Sequence, residues 1–493
     1  MNPIRQFHEL YAWAANHPSL QWLRPWVRGP KFVARMALSI VRTPDRMMRA
    51  AWTIGRAIGP LRWFLREGAQ HIRANLPPAP GTKPLIVMLA NAHLPADPRI
   101  EREARALVGG GFRIKILCPE WCPGAVVPDW GPDIEIKLLP QSAGQYVCYF
   151  PWVLGLSMIR AAEEERPWAF HGHDLDTSIA ALLAAARHRT LCICDFHEWY
   201  SENASLGAWR RRYRPHSWLK KWIFRKAERL ALRCASQVVT VCDSIAQALE
   251  ENYECRRPPV VVRNIPSLSQ NPSGTPQINI RERLGIPANK AIVLYQGGVG
   301  PSRGLEPIIQ AMALVRSAVL VLRGPGVEMY GKTYLRIARE NGAGDRVFWL
   351  PPVPSSRCVA EAQAADIGVW TLLPICRNFT YALPNKVFEY CAAGLPMVCA
   401  HHREVRKIVG GYELGACFDP EVPSSIAAAI EKLASDAPLR RRCSNNTRTA
   451  LAHMQADREW EKLVAMYRQL ATAQRVTLPP AAVSEAESVR KAG

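Results

Sequence analysis

The chain has 493 residues, 48% of them apolar, 21% charged and 8% aromatic; this excludes a disordered chain and a mini-protein and provides for two or three domains with full cores. Lys and Arg outnumber Asp and Glu 63 to 42, for a formal net charge of +21, so the molecule is drawn to polyanions, whether nucleic acid or an acidic membrane. The longest uncharged apolar stretch, Cys148 to Ile159, is far short of the roughly 20 residues a membrane span needs.

Residues 1–80 hold twelve Arg and Lys against Glu9, Asp45 and Glu67, and read as a separate basic extension. Arg5, Glu9 and two histidines fall where a secretory signal would be unbroken and apolar. Trp52, Ile54, Ile58, Leu61 and Leu65 recur at near-helical spacing beside Arg49, Arg56, Arg62 and Arg66, and Trp13, Trp22, Trp26 and Trp63 add aromatic rings. Such a segment suits a helix lying flat on an anionic bilayer; a set of helices packed on the main body with solvated arginines is the other reading. A second basic and aromatic run covers 209–226. The fourteen cysteines are scattered, and Cys118/Cys122 and Cys192/Cys194 lack a second matched pair, so reduced thiols are expected.

After Leu76-Pro77-Pro78-Ala79-Pro80, short apolar runs alternate with helical patterns, as in βα units with parallel sheets. Strands are expected at Leu85–Ala90, Arg113–Cys118, Ala169–His171, Leu191–Asp195 and Val238–Cys242, and helices at Arg99–Val108, Ser178–Arg187 and Lys221–Arg233. They make a first doubly wound domain over 81–265. A linker, 266–290, precedes a second domain, 291–450, with strands at Ala291–Gln296, Val319–Arg323, Val347–Leu350, Ile367–Trp370 and Met397–Ala400. A C-terminal helix at 451–475 and a disordered tail at 476–493 complete the reading. Two such domains imply a cleft, and open α/β sheets bind ligands at the carboxyl ends of their strands.

Strand Ala291–Gln296 runs into Gly297-Gly298-Val299-Gly300-Pro301-Ser302-Arg303-Gly304, followed by helical spacing. Such a loop offers backbone N–H groups to a phosphate and Arg303 to its oxygens; an ordinary βα turn is the plainer alternative. No Gly-Lys-Ser/Thr follows, so this is not a Walker A loop. Gly109-Gly110-Gly111, after a helix, reads as a C-cap. Further on, Pro384-Asn385-Lys386-Val387-Phe388-Glu389-Tyr390 precedes Gly394-Leu395-Pro396 and a strand. Asn385 is expected to cap a short helix carrying Lys386 and Glu389. Glu389 could hold two vicinal ribose hydroxyls and Lys386 a phosphate, or the two could form a surface pair at i, i+3.

This block resembles the donor-binding segment of glycosyltransferase family 4 (group 1), in its Pro-Asn-Lys-x-x-Glu-Tyr subgroup. Other segments agree in order: Asp97-Pro98-Arg99 with Glu103 and Leu107, His171-Gly172-His173-Asp174, Asp195-Phe196-His197-Glu198, Arg263-Asn264, and Tyr295-Gln296-Gly297 with Arg303-Gly304. The resemblance covers about 84–470. It implies a GT-B fold of two Rossmann-like domains and a retaining transfer from a nucleotide sugar. Glu389 would hold the ribose, Arg303 and Lys386, with the Gly298–Gly300 amides, would face the diphosphate, and His173 would lie by the transferred sugar. Asp97, Arg99, Asp174, His197 and Glu198 become acceptor-side or cleft candidates. Two positions depart from the family: the second glutamate, eight residues before Glu389, is Tyr381, and an arginine five residues before Arg303 is Gly298; Asn378 or Thr380 could supply a polar contact in place of the missing glutamate.

Two other classes stay open. His171, His173, Asp174, Asp195, His197 and Glu198 could converge as metal ligands of a hydrolase, and the departures would suit a catalytically inactive, membrane-associated GT-B scaffold. The favoured reading is a metal-independent glycosyltransferase of cell-surface polysaccharide or glycolipid synthesis. It takes a nucleotide sugar and a saccharide or lipid-linked acceptor. It would be cytoplasmic and peripheral at the inner face of the membrane, which it touches through 1–80 and 209–226, with no nucleic-acid partner.

Overall fold

The computed structural model describes residues 63–72, 82–120 apart from 93, 95 and 96, 126–139, 167–206, 213–265, 278–476 apart from 302 and 455, and 478. The amphipathic pattern of 1–62, the run 209–212 and, apart from 476 and 478, the tail expected at 476–493 lie outside the described residues; Val476 and Leu478 pack against the first core instead of being disordered.

The first domain holds β1 (Leu85–Leu89), α1 (Pro98–Gly109), β2 (Arg113–Pro119), β3 (Ile134–Leu139), β4 (Ala169–His173), α2 (Asp174–His188) and β5 (Leu191–Phe196), followed by a small antiparallel hairpin of β6 (Ala204–Leu206) and β7 (Tyr213–Pro215), then α3 (Trp218–Cys234), β8 (Gln237–Thr240), α4 (Asp243–Asn252) and β9 (Val260–Val261). Seven strands form one parallel sheet in the order β3-β2-β1-β4-β5-β8-β9. β1, β4 and β5 are buried along their whole lengths, as expected of strands covered on both faces.

The second domain repeats the plan with β10 (Ala291–Gln296), α5 (Leu305–Ala311), β11 (Ala318–Arg323), α6 (Val327–Glu340), β12 (Val347–Leu350), β13 (Ile367–Trp370), α7 (Asn385–Ala392), β14 (Met397–Ala400), α8 (Arg403–Gly411), β15 (Gly415–Phe418) and α9 (Pro423–Ser435). Its parallel sheet runs β12-β11-β10-β13-β14-β15. In each sheet the winding reverses beside the first strand, at β1/β4 and at β10/β13, which is where ligands of such sheets sit. Ile280 and Ile286 already belong to the second core, so its packing begins before residue 291. α10 (Ala437–Met454) continues that domain, and α11 (Ala456–Ala473) crosses back. Its Trp460, Leu463, Met466, Tyr467 and Leu470 are buried against α1 and the first sheet.

Four expected strands of the second domain keep their bounds, and Val319–Arg323 gains one residue. The strand expected at Val238–Cys242 lies instead at Gln237–Thr240, because the chain is already turning into α4 at Cys242. The strand expected at Ala169–His171 continues to His173, and the helix expected from Ser178 begins at Asp174, whose φ of 67° makes the turn. Gly110 caps α1 and Gly111 (φ 94°) leaves it, in agreement with the C-cap reading. The cysteines of the described residues are free thiols, and no described helix is long and apolar enough to cross a membrane.

Candidate active site

At the carboxyl end of β10 the loop Gly297–Gly300 packs on the loop after β11. A Cβ on Gly324 (φ 145°) would lie 1.9 Å from the Gly297 carbonyl oxygen, and one on Gly326 (φ 90°) would lie 2.2 Å from that of Val299. Only glycine fits at either position. The loop spends two of its amides internally: Gly297 N–H donates to Arg323 C=O (2.9 Å) and Val299 N–H to Pro325 C=O (2.8 Å). The expected cradle of Gly298–Gly300 amides is therefore reduced to Gly298 and Gly300, whose N–H groups meet no protein acceptor among the described residues.

Arg303 and Lys386 lie over successive glycines of this loop. A Cβ on Gly298 would sit 3.9 Å from Arg303 Nε, and one on Gly297 would sit 3.3 Å from Lys386 Cε. The Gly298 departure thus leaves room that the Arg303 side chain borders. Lys386 Nζ is 3.2 Å from Glu389 Oε1, both side chains partly buried. The other oxygen, Glu389 Oε2, is buried with no protein partner among the described residues. A carboxylate oxygen without a donor in a cleft is costly unless a ligand supplies one. Asn385 does not cap α7: it is the first helical residue, and Pro384, in extended backbone, precedes it with no side-chain cap bond.

The first domain contributes the ends of β4 and β5. His171 and His173 stack with centroids 4.4 Å apart. Asp195 is the hub: it accepts from both Nε and Nη2 of Arg99 at 2.9 Å and from His197 Nε2 at 2.7 Å, and lies 3.4 Å from His173 Nδ1. Although burial opposes its charge, Arg99 and His197 hold the Asp195 carboxyl well below the usual range. Burial pushes the Glu103 carboxyl, 2.8 Å from Arg99, well above that range, against the pull of Arg99. Burial, then repulsion from His173, lowers His171, whose Nδ1 lies 2.7 Å from the Tyr467 hydroxyl of α11.

This hub bears on two of the acceptor-side or cleft candidates and on the metal group. Asp97 accepts the Arg99 N–H at 3.1 Å through Oδ1 as the cap of α1, and Arg99, 2% exposed, is held inside the ion-pair network rather than free at the cleft. The metal group also changes membership: Glu103, His171, His173 and Asp195 bring ligand atoms within 4.8 Å of one another, while Asp174, His197 and Glu198 stand outside. Arg99 pairs with Asp195 at 2.9 Å and lies 2.8 Å from Glu103, so a metal ion in that group would have to displace the guanidinium.

His197, Asp174 and Glu198 border the cleft. His197 Nδ1 is 3.2 Å from Asp174 Oδ1, and although burial works against its charge, Asp174 and Asp195 raise its pKa to about 10. Burial and the charge of Asp174 push Glu198 up to about 7, against the pull of His197, Asn203 and, from the second domain, Arg303. Arg102, missed by sequence reasoning, sits across from Glu389: it donates to Asn264 Oδ1 at 2.8 Å, and Glu389 is the strongest charge drawing its pKa up against burial. Its signal was its place one turn from Arg99 on α1. Tyr381, in place of the second glutamate, stacks on Trp199 of the first domain (5.8 Å, 15°). Asn378 cannot stand in freely for that glutamate, since its Oδ1 accepts the Trp199 N–H at 2.8 Å; Thr380 donates to Arg377 C=O at 2.8 Å.

Residues 96–265 match the glycosyl transferase 4-like domain and residues 276–450 match glycosyl transferases group 1, together more than two thirds of the chain. A D-inositol 3-phosphate glycosyltransferase from Corynebacterium glutamicum is 29% identical over 164 residues, 32% of this chain and 38% of that protein. The chain thus spans about two fifths of the length of that relative. Among solved structures, sucrose-phosphate synthase from Thermosynechococcus elongatus superposes with a TM-score of 0.64 at 16% identity, covering 79% of this chain and all of that one. Anabaena HepE in complex with UDP and glucose gives 0.59 at 16% identity, covering 78% and 100%. From these matches and its two parallel sheets, the chain carries a glycosyl transferase 4-like domain followed by a glycosyl transferases group 1 domain, in a GT-B fold.

Proposed function

We propose that the protein moves a sugar, with retention, from a nucleotide-sugar donor to a hydroxyl acceptor. The observation that carries this reading is the convergence of Arg303, Lys386 and the half-satisfied Glu389 over the glycine loop at the β10/β13 switch point. Glu389 Oε2 accepts from the ribose hydroxyls. Arg303, Lys386 and the amides of Gly298 and Gly300 stabilise the charge that grows on the diphosphate as the bond between sugar and phosphate breaks and its electron pair leaves with the phosphate. His173 lies by the transferred sugar, and the departing phosphate receives the acceptor's proton on the same face. In this reading the cationic side chains supply the charge that a metal ion supplies elsewhere. The acceptor enters from the first domain past His197, Asp174 and Glu198. That HepE was solved with UDP and glucose supports a donor of this class. The basic extension supports a lipid-linked or growing saccharide acceptor at the inner face of the cytoplasmic membrane, in cell-surface polysaccharide or glycolipid synthesis.

The Trp199–Tyr381 stack favours one second reading, a GT-B scaffold without activity, since it fills the place of a donor-contacting glutamate. Calorimetric titration with UDP-, GDP- and ADP-linked sugars, with and without EDTA, tests the proposal. Selective, EDTA-insensitive binding of one nucleotide supports it. Absence of binding, or binding lost to EDTA, refutes it, and binding without transfer or donor hydrolysis leaves the scaffold.

A further inference from the structure

The segment 63–72, with Trp63 and Leu65 beside Arg66 and Glu67, and the basic, aromatic α3, more than a hundred residues later in sequence, meet in one layer of the first domain. Residues 63–72 and α3 both pack against α2, on the same side of the first sheet. α2 is buried almost throughout because of this double cover. Phe64 and Ile72 anchor the first segment in that core, and Phe224, Ala227, Ala231 and Leu232 anchor α3.

The outer surface of α3 combines apolar bulk with positive charge, and that of 63–72 adds apolar bulk beside one cation, Arg66, and one acid, Glu67. Leu65 is 60% exposed, Trp218 57%, Leu219 46% and Trp222 54%. α3 also carries Lys220, Lys221, Arg225, Lys226, Arg229 and Arg233, and its one acid, Glu228, is buried, taking the Ser201 N–H at 2.8 Å. Lys226 Nζ lies 5.8 Å from the Trp222 ring, so charge and indole share one surface. Lys221 and Arg225 hold Glu202 at 2.6 and 2.9 Å, which fixes α3 to the turn four residues after Glu198. The surface therefore borders the acceptor side of the cleft.

We propose that this surface, residues 63–72 with the outer face of α3, docks the protein on an anionic lipid bilayer. Exposed indole and leucine side chains suit the headgroup and acyl boundary, and Lys226 and Arg229, which stand outside the ion pairs that Lys221 and Arg225 make with Glu202 and Arg233 with Glu254, suit anionic headgroups. A polyanion without an apolar interior would leave Trp218, Leu219 and Trp222 unused. The docked pose brings the lip formed by His197 and Glu198 to the membrane, where a lipid-linked acceptor would be presented; this last link rests on the proposed transferase reading, whereas the docking does not.

The test is co-sedimentation of the full chain with vesicles of phosphatidylcholine alone or with about 30% phosphatidylglycerol, at low and high salt. Expected is binding only to the anionic vesicles. A triple variant, Trp218→Ser with Leu219→Ser and Trp222→Ser, and a charge variant, Lys226→Glu with Arg229→Glu, should each weaken it by about tenfold or more. Nucleotide-sugar titration of both variants should match that of the parent chain, so failure of docking and failure of the transferase reading show up separately. Equal binding to neutral and anionic vesicles, no binding, or wild-type binding by either folded variant overturns the proposal. So does single-stranded DNA that binds and displaces the vesicles while the triple variant binds it unchanged. The charge variant leaves every apolar side chain in place and decides the question if the triple variant does not fold.

Discussion

Trp199 of the first domain stacks on Tyr381 of the second, and each ring has a guanidinium over it: Arg377 5.0 Å from Trp199 and Arg403 5.8 Å from Tyr381. With the Asn378 bond to the Trp199 amide, this makes an aromatic clasp across the cleft. A double-mutant cycle with Trp199→Ala and Tyr381→Ala should show a coupling of about 0.5–1.5 kcal/mol in urea unfolding. Tyr381→Phe should keep it. Additive single-variant effects would mean that the rings touch without holding the domains together.

Arg303 and Glu389 should separate by kinetics and binding. Arg303 is exposed, so Arg303→Ala should leave thermal stability nearly unchanged while lowering kcat on the order of 100-fold, the usual loss when a charge-stabilising donor is removed. Glu389→Gln should weaken nucleotide binding by about 1.5–3 kcal/mol, since the lost hydrogen bonds involve a charged acceptor. Calorimetry with the accepted nucleotide checks the second, and initial rates at saturating donor the first.

Arg99 is the cation that the Asp195 hub is built around. Arg99→Ala leaves a buried carboxylate without its partner and should cost about 3–5 kcal/mol. Equilibrium unfolding measures it, and zinc added to this variant should bind where it does not bind the parent chain.

His197 sets a pH dependence. Its pKa rises to about 10 in the folded protein from an ordinary value near 6.5. The folded state therefore holds an extra proton between those values, and the stability this confers, complete below about pH 6.5, is lost as pH climbs through about 10. Glu198, pushed up to about 7, acts in the same direction lower down, its burial becoming more costly as pH rises from the ordinary carboxylate range to about 7. His197→Asn should flatten the decline in unfolding free energy between pH 7 and pH 10, followed by urea titrations at several pH values; an unchanged slope would assign the decline to other groups.

Much of this fold was legible because parallel strands covered on both faces read as unbroken apolar runs. Ala291–Gln296 and Met397–Ala400 are found at their expected bounds for that reason. The strands that escaped notice are at sheet edges. Ile134–Leu139 alternates and exposes Glu135, Val260–Val261 is two residues long, and Gly415–Phe418 is only partly buried. In the site, Arg303, Lys386 and Glu389 were legible because each lies within a few residues of its loop or helix start. The burial of Arg99 was not legible because its partner Asp195 is 96 positions away, and Tyr467 was missed because His171 is 296 positions away. A charge pair at i, i+4 on the apolar face of α1, Arg99 with Glu103, was the available sign that this helix buries ions.

α11 makes the first domain discontinuous in sequence. Its Tyr467 hydroxyl meets His171, Trp460 lies beneath Arg99, and Glu459 accepts the Arg263 amide at 3.0 Å. On the ribosome, therefore, the first half of the chain emerges with an open socket and must wait for the final segment before it can close. The second domain, complete by about residue 454, is free to fold first, which inverts the usual order of synthesis and folding. A released chain truncated before residue 456 should present a protease-sensitive N-terminal half beside a resistant C-terminal one.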